Sequence, residues 1–429
     1  MAVQTVNYQC PACTGPLQFS PETGKPVCEY CGSVYELAEI EALYEKDNQN
    51  WDTSELQESW GTDAEGMKVY SCPSCMAELI CEEATAATCC PYCGNPTMIP
   101  GQFEGALKPD YVLPFKQDKE AAIAALKKHY QGRFFLPKDF CTQNHIEEVQ
   151  GVYVPFWLFD GKAEGSASYE ATRSKSYVQG EYRITETKHY QISRAGSLEF
   201  EKVPVDASSR MPDGHMDSIE PYDYSDLKPF TTAYLPGFMA DKFDVDATDS
   251  QKRADERCER SLLEELRKTV DGYDSVSDRS NQIRLHRGKV HYSLLPVWML
   301  STKWKDQNFL FAMNGQSGKL VGDLPIDSKK YWTTFFSIGF GAMLLIAALM
   351  LLFGAPVGPI GLLLISGIAG FLLSLLIVSM LESGMKNVHT GSEAGTYIAG
   401  QLKLTWKRDN YTHTTTRKTK IESDSKKKG

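Results

Sequence analysis

Eight of the twelve cysteines fall into four CxxC pairs, and one spacing occurs twice. Cys10 and Cys13 are followed after 14 residues by Cys28 and Cys31, and Cys72 and Cys75 after 14 residues by Cys90 and Cys93. Four thiolates on two knuckles supply a closed tetrahedral site that suits Zn²⁺ and leaves no open position for a substrate. In CPxC and CxYCG, Pro or Gly stands where the backbone must curl round a metal. The start, MAVQTVNYQCPAC, has no basic segment leading into an apolar one, so a reducing compartment is expected. There, CxxC pairs read as metal ligands rather than disulfides, with an iron–sulfur or redox site as the alternative. Spacing leaves open whether the pairs combine within each frame or across them, Cys10/Cys13 with Cys90/Cys93. The frames hold few apolar residues, so two structural zinc ions should supply folding energy themselves. Cys81 and Cys89, outside the frame, read as packing thiols.

Zinc ribbons are common in proteins that bind nucleic acid, and that chemistry needs Lys and Arg for phosphates. Residues 1–108 carry four of these against sixteen Asp/Glu. The cysteine-rich end therefore repels nucleic acid, although the chain as a whole is only moderately acidic at −10. Enzyme frames are missing too. The stretch NGQSGK at 314–319 lacks the glycine spacing and the Ser/Thr of a phosphate loop and reads as a turn between strands. The eight histidines are scattered, with no HExxH and no nucleophile elbow. The acidic run SIEPYDYSDLKPF reads as a solvated loop.

These sites need elements to hold them, and the fold class is multidomain. Residues 1–35 form a small β zinc ribbon, 36–68 an acidic, partly helical linker and 69–100 a second ribbon. Residues 109–327 read as an α+β domain of antiparallel strands and a few helices. A diverged internal duplication is expected within it, with halves of about 109–230 and 231–327. In each half a short apolar segment precedes a helix and then a strand with Pro-x-Trp, x being Phe or Val: Val154-Pro-Phe-Trp and Leu295-Pro-Val-Trp. In the second helix Ala254, Cys258, Leu262 and Leu266 recur every four residues on one face, and Thr248 with Gln251 fits a capping box. Trp157 and Trp298 read as buried.

Within residues 331–381, two uncharged apolar runs, 332–353 and 357–381, are each long enough to cross a bilayer, and only Gly354-Ala355-Pro356 separates them. Lys329, Lys330 and Lys386 flank this hairpin and its turn is uncharged, so both termini are expected in the cytoplasm. Residues 382–429 carry ten Lys/Arg against five Asp/Glu and read as a basic, disordered cytosolic tail, with contact to anionic lipid as an alternative.

The chain resembles the TFIIB-type zinc-ribbon membrane proteins of Gram-positive bacteria. The resemblance rests on the CPxC…CxYCG frames, VPFWLFDG at 154–161, the run from VPVDASSRMPDGHMDS to AYLPGFMADKFDVDA, and PVW…FAMNGQSGKLVGDLPID at 296–327. Such proteins are often labelled replication-restart helicase-like, yet no nucleotide-binding loop is present here. The resemblance implies a role in anchoring phage-shock protein A or a flotillin-like protein at the membrane during envelope stress. It carries over no catalytic residue. The expectation is a non-enzymatic scaffold at the inner face of the bacterial cell membrane, contacting membrane lipids and cytosolic proteins, with oligomerisation open. The alternatives are a membrane-tethered nucleic-acid binder and a subunit of a small-molecule or lipid-handling complex.

Overall fold

In the computed structural model, residues 10–11, 15, 17–20, 25–28, 30–36, 39–40, 51–56, 60, 64, 67–82, 89–102, 107–143, 146–305, 307–353, 358–388 and 394–421 are described. A two-stranded sheet, β1 (Leu17–Ser20) and β2 (Lys25–Cys28), belongs to the first cysteine frame. The second frame contributes β3 (Met67–Ser71), β4 (Glu78–Glu82) and β5 (Ile99–Gln102). Then follow β6 (Tyr111–Val112), α1 (Lys119–Tyr130), α2 (Lys138–Gln143), β7 (Gln150–Gln179), β8 (Tyr182–Asp206) and α3 (Asp213–Ile219). After β9 (Lys228–Pro229) and β10 (Met239–Asp241) come α4 (Ala247–Lys268), β11 (Ser275–Trp304), β12 (Gln307–Asn314) and β13 (Leu320–Val321). Two long helices, α5 (Ser328–Leu352) and α6 (Pro359–Ser383), precede the last strand, β14 (Lys403–Lys420).

The long strands β7 and β11 pair antiparallel at the centre. Val154 lies opposite Leu295, so the VPFW and LPVW segments cross each other there. Short strands flank this crossing in parallel: β10 on β7 at Met239–Val152, and β6 on β11 at Ser293–Tyr111. Each long strand then turns back into an antiparallel partner, β8 for β7 and β12 for β11. Trp157 and Trp298 are buried, as their setting in VPFW and LPVW implies.

Burial along β7 falls into three zones. It is continuous from Gly151 to Phe159, where both faces are covered, and alternates from Ala163 to Ala171, where one is. From Arg173 to Gln179 every residue is exposed. The covered face of the middle zone receives α4, whose stripe Ala254, Cys258, Leu262 and Leu266 is fully buried. The helix begins one residue before Thr248, with Asp246 at the N-cap and no side-chain cap bond, so the capping box does not form. Arg257, one position before Cys258, is buried and holds Glu220 through two nitrogens, at 3.0 and 2.6 Å. Glu220 and Tyr222 of the SIEPYDYSDLKPF run are buried, which overturns its reading as a solvated loop. The NGQSGK segment is the turn between β12 and β13: Asn314 Oδ1 accepts from the amides of Gln316 and Ser317.

Two further expectations change. The 36–68 segment is no free linker where it is described: Trp51 and Trp60 are buried in the main core, and Trp51 packs edge-on against Phe159. Its helix is seen only at Glu39–Ile40. The tail expected to be disordered forms β14, 18 residues long, paired along β8 from Lys403–Ser197 to Lys420–Tyr182. The edge of β8 offers unpaired backbone groups there, and the Thr, Tyr and Trp side chains of KLTWKRDNYTHTTTRKTK suit a strand.

α5 and α6 are each 25 residues and about 38 Å long, and charges occur only at their ends, at Lys329, Lys330 and Glu382. Both are long and apolar enough to cross a membrane, and only 6% and 17% of their most apolar windows are buried. They meet through small residues: a Cβ on Gly370 would lie 2.6 Å from the carbonyl oxygen of Gly339. The turn at 354–357 lies outside the described residues.

Candidate metal centres

Each described knuckle repeats one backbone pattern. The amide of Cys72 donates to the carbonyl of Ala77 and that of Cys90 to Asn95, while Cys28 donates to Ser33. Four residues past each of these cysteines, Met76, Gly94 and Gly32 donate back to it and hold φ of 60°, 70° and 76°. That left-handed residue explains the glycine of CxYCG. The fold turns each knuckle's amides inward, toward negative sulfur.

In the second frame the sulfurs of Cys72, Cys75, Cys90 and Cys93 all lie within 4.8 Å of one another. Cys72 and Cys93 are 3.6 Å apart, and so are Cys75 and Cys90. A tetrahedral ion with sulfur at about 2.3 Å requires sulfur–sulfur edges of about 3.8 Å, whereas a disulfide closes to about 2 Å. The four thiols fit a metal. Burial raises the Cys72 thiol, but the amides of Cys75 and Ser74 outweigh it and bring it down to about 7. Cys75 is pushed up to about 11 by burial, so metal uptake must displace protons.

In the first frame Cys10, Cys28 and Cys31 converge in the same way, with Cys10 and Cys31 sulfurs 3.5 Å apart. Cys13, the fourth expected ligand, lies outside the described residues. The pairs therefore combine within each frame, and the exchange of Cys10/Cys13 with Cys90/Cys93 is not made. Cys81 is a packing thiol, fully buried and pushed up to about 11. Cys89 is half-buried and accepts from Gln150 Nε2 at 2.6 Å.

The two centres differ in how they are held. Strand β4 of the second ribbon pairs with β10, and β10 with β7, so this ribbon continues the main sheet. Tyr92, inside its second knuckle, is buried against Asp241 of β10, with Ser208 and Arg210 beside them. The first ribbon makes no strand pairing with the main sheet among the described residues. Tyr30 packs edge-on against Trp406 of β14 at 6.4 Å, and Leu17, Tyr30, Tyr35 and Trp406 surround the buried Cys10 and Cys28.

Seven of the eight expected ligand positions are described and converge as their spacing implies; their supports were not readable from it. Trp406 could have been suspected from its place in a β-prone run, but Tyr92 with Asp241, and Trp51 in the acidic stretch, gave no local signal. His286 and His291 sit in β11, each with Nε2 3.3 Å from a carboxylate oxygen, of Glu164 and of Asp160.

The chain is 35% identical over 351 residues to the uncharacterized protein YdjG of Bacillus subtilis strain 168, a match covering 81% of this chain and 98% of that protein. No family profile matches the chain. No solved structure matches it.

Proposed function

The chain belongs to the same family as YdjG, and from that premise we propose that it is a membrane-anchored scaffold carrying two structural zinc ions. The hairpin of α5 and α6 is the anchor, with both termini in the cytoplasm, where Lys329, Lys330 and Lys386 remain. The repeated order of short strand, helix, long strand and returning strand is the trace of an internal duplication, with the VPFW and LPVW segments crossing at its pseudo-twofold axis. The ribbons and the sheet present docking surfaces for a cytosolic protein and perform no covalent chemistry. The partner implied by the resemblance to TFIIB-type zinc-ribbon membrane proteins is phage-shock protein A or a flotillin-like protein under envelope stress.

One observation carries this reading. Four converging thiols saturate a tetrahedral ion, so the metal has a folding role and no position for a substrate. The second ribbon also joins the sheet that leads to the apolar hairpin, so a partner held on it is held at the bilayer. The test is crosslinking in native membranes followed by purification of the full chain, with Cys72→Ser/Cys90→Ser as control. A cytosolic partner captured by the parent and lost in the control supports recruitment. Equal recovery from both, or none from either, refutes it.

A further inference from the structure

The part of the sheet farthest from α5 and α6 is a blade with no layer over it among the described residues. Beyond the pair Thr172–Ser275, β11 stops, and β7, β8 and β14 continue alone as three strands. At about 3.3 Å per residue, the 30 residues of β7 extend about 100 Å. The apolar hairpin docks at the other end, where Phe335, Val378 and Met385 share a cluster with Trp298, Leu300 and Phe311.

The blade's end has two properties that belong together. Residues 175–188 and 415–421 carry six cations (Lys175, Arg183, Lys188, Arg417, Lys418, Lys420) against Glu181 and Glu186. Glu181 is 3.5 Å from Lys420, and Glu186 accepts from the Tyr177 hydroxyl. At the extreme tip, Tyr177, Val178, Tyr182 and Ile421 are exposed by 39, 62, 44 and 39%. Register places Tyr177 opposite Ile184 but Val178 opposite Arg183, so these two side chains emerge on opposite faces.

We propose that this tip is a second membrane contact, entering an anionic lipid headgroup layer end-on, independently of what the ribbons recruit. Apolar and aromatic groups on both faces suit entry by the end of the blade, and cations behind them meet phosphate-bearing headgroups. Tyrosine is a side chain of the membrane–water boundary, apolar in its ring and polar at its hydroxyl. A nucleic acid laid across the sheet would use one face and gain nothing from Val178 or Ile421. The acidic ribbon end of a second copy would use the cations and equally leave the aliphatic tip idle.

The test uses the full chain in nanodiscs of neutral phosphatidylcholine, mixed with vesicles of phosphatidylcholine alone or with 30% phosphatidylglycerol. Capture by the anionic vesicles and not by the neutral ones is expected. At about fivefold per cation, Lys175→Gln/Lys418→Gln/Lys420→Gln lowers the affinity about a hundredfold. Tyr177→Ser/Val178→Ser/Tyr182→Ser lowers it at least tenfold with the charge unchanged; parent-like hydrogen exchange in β8 and β14 confirms that each variant keeps the blade. Incorporating phosphatidylglycerol into the nanodisc itself distinguishes the chain's own bilayer from a facing one: reduced vesicle capture means that the tip reaches its own membrane. The proposal is overturned if the serine variant binds like the parent. It is also overturned if single-stranded RNA binds with the same dependence on the lysines while vesicles do not, or if nanodiscs associate with each other through the tip without vesicles.

Discussion

One cysteine spacing has been built into two different mechanical settings. The second ribbon is part of the main sheet: β4 bonds to β10, β10 bonds to β7, and Tyr92 is buried against Asp241. The first leans on the outer strand through Tyr30 and Trp406 and leaves Cys31 exposed. Identical ligand chemistry therefore has unequal structural reach. A metal lost from the second cluster would open an edge of the central domain, whereas one lost from the first would release a satellite.

Paired substitutions test this difference most strongly. Cys72→Ser/Cys90→Ser should reduce bound zinc from two to one and destabilise the central domain by roughly 5 kcal/mol or more. Hydrogen exchange should then show lost protection in β10 and the start of β7. Cys10→Ser should remove one zinc as well, but leave exchange in β10 and β7 as in the parent. Equal loss of protection in both variants would erase the contrast.

Smaller effects should follow from the seams. Trp406→Ala removes the aromatic floor of the first ribbon and should weaken its docking by about 1–3 kcal/mol, read as faster exchange in β1 and β2 with two zinc ions still bound. The Asp241 carboxyl is pushed up by complete burial from its ordinary 3.8 to about 6, against the opposing pull of the Tyr92 and Ser208 hydroxyls. Its contribution to stability is full below 3.8 and is lost as pH rises through 6, because the buried group is then ionised. Asp241→Asn should therefore stabilise the protein at pH 8 by about 1–3 kcal/mol and flatten the decline between pH 4 and 6, measured by thermal unfolding in detergent. A variant no more stable than the parent at pH 8 would remove Asp241 from this account.

Much of the local structure was legible because it is written in periods and spacings. Ala254, Cys258, Leu262 and Leu266 face one way on a helix wherever that helix packs, and residues 332–353 are apolar whatever surrounds them. Tail strand β14 was missed because its residues are polar and charged; only the free edge of β8 makes them a strand. Glu220 was misread because a carboxylate in an acidic run looks solvated until Arg257, 37 residues away, supplies its partner.

The sequence by itself determined the two cysteine clusters, the two apolar helices and the acidic character of the cysteine-rich end, since composition and short-range spacing suffice for each. Tertiary structure alone decided which ribbon is fused and which is docked, where the tail goes, and that basic and apolar groups meet at one tip. Those outcomes depend on strand pairing between residues up to hundreds of positions apart, as Lys403 with Ser197 and Lys420 with Tyr182. No local pattern encodes such a pairing: the hydrogen bonds of a sheet edge are the same for every strand that could take them.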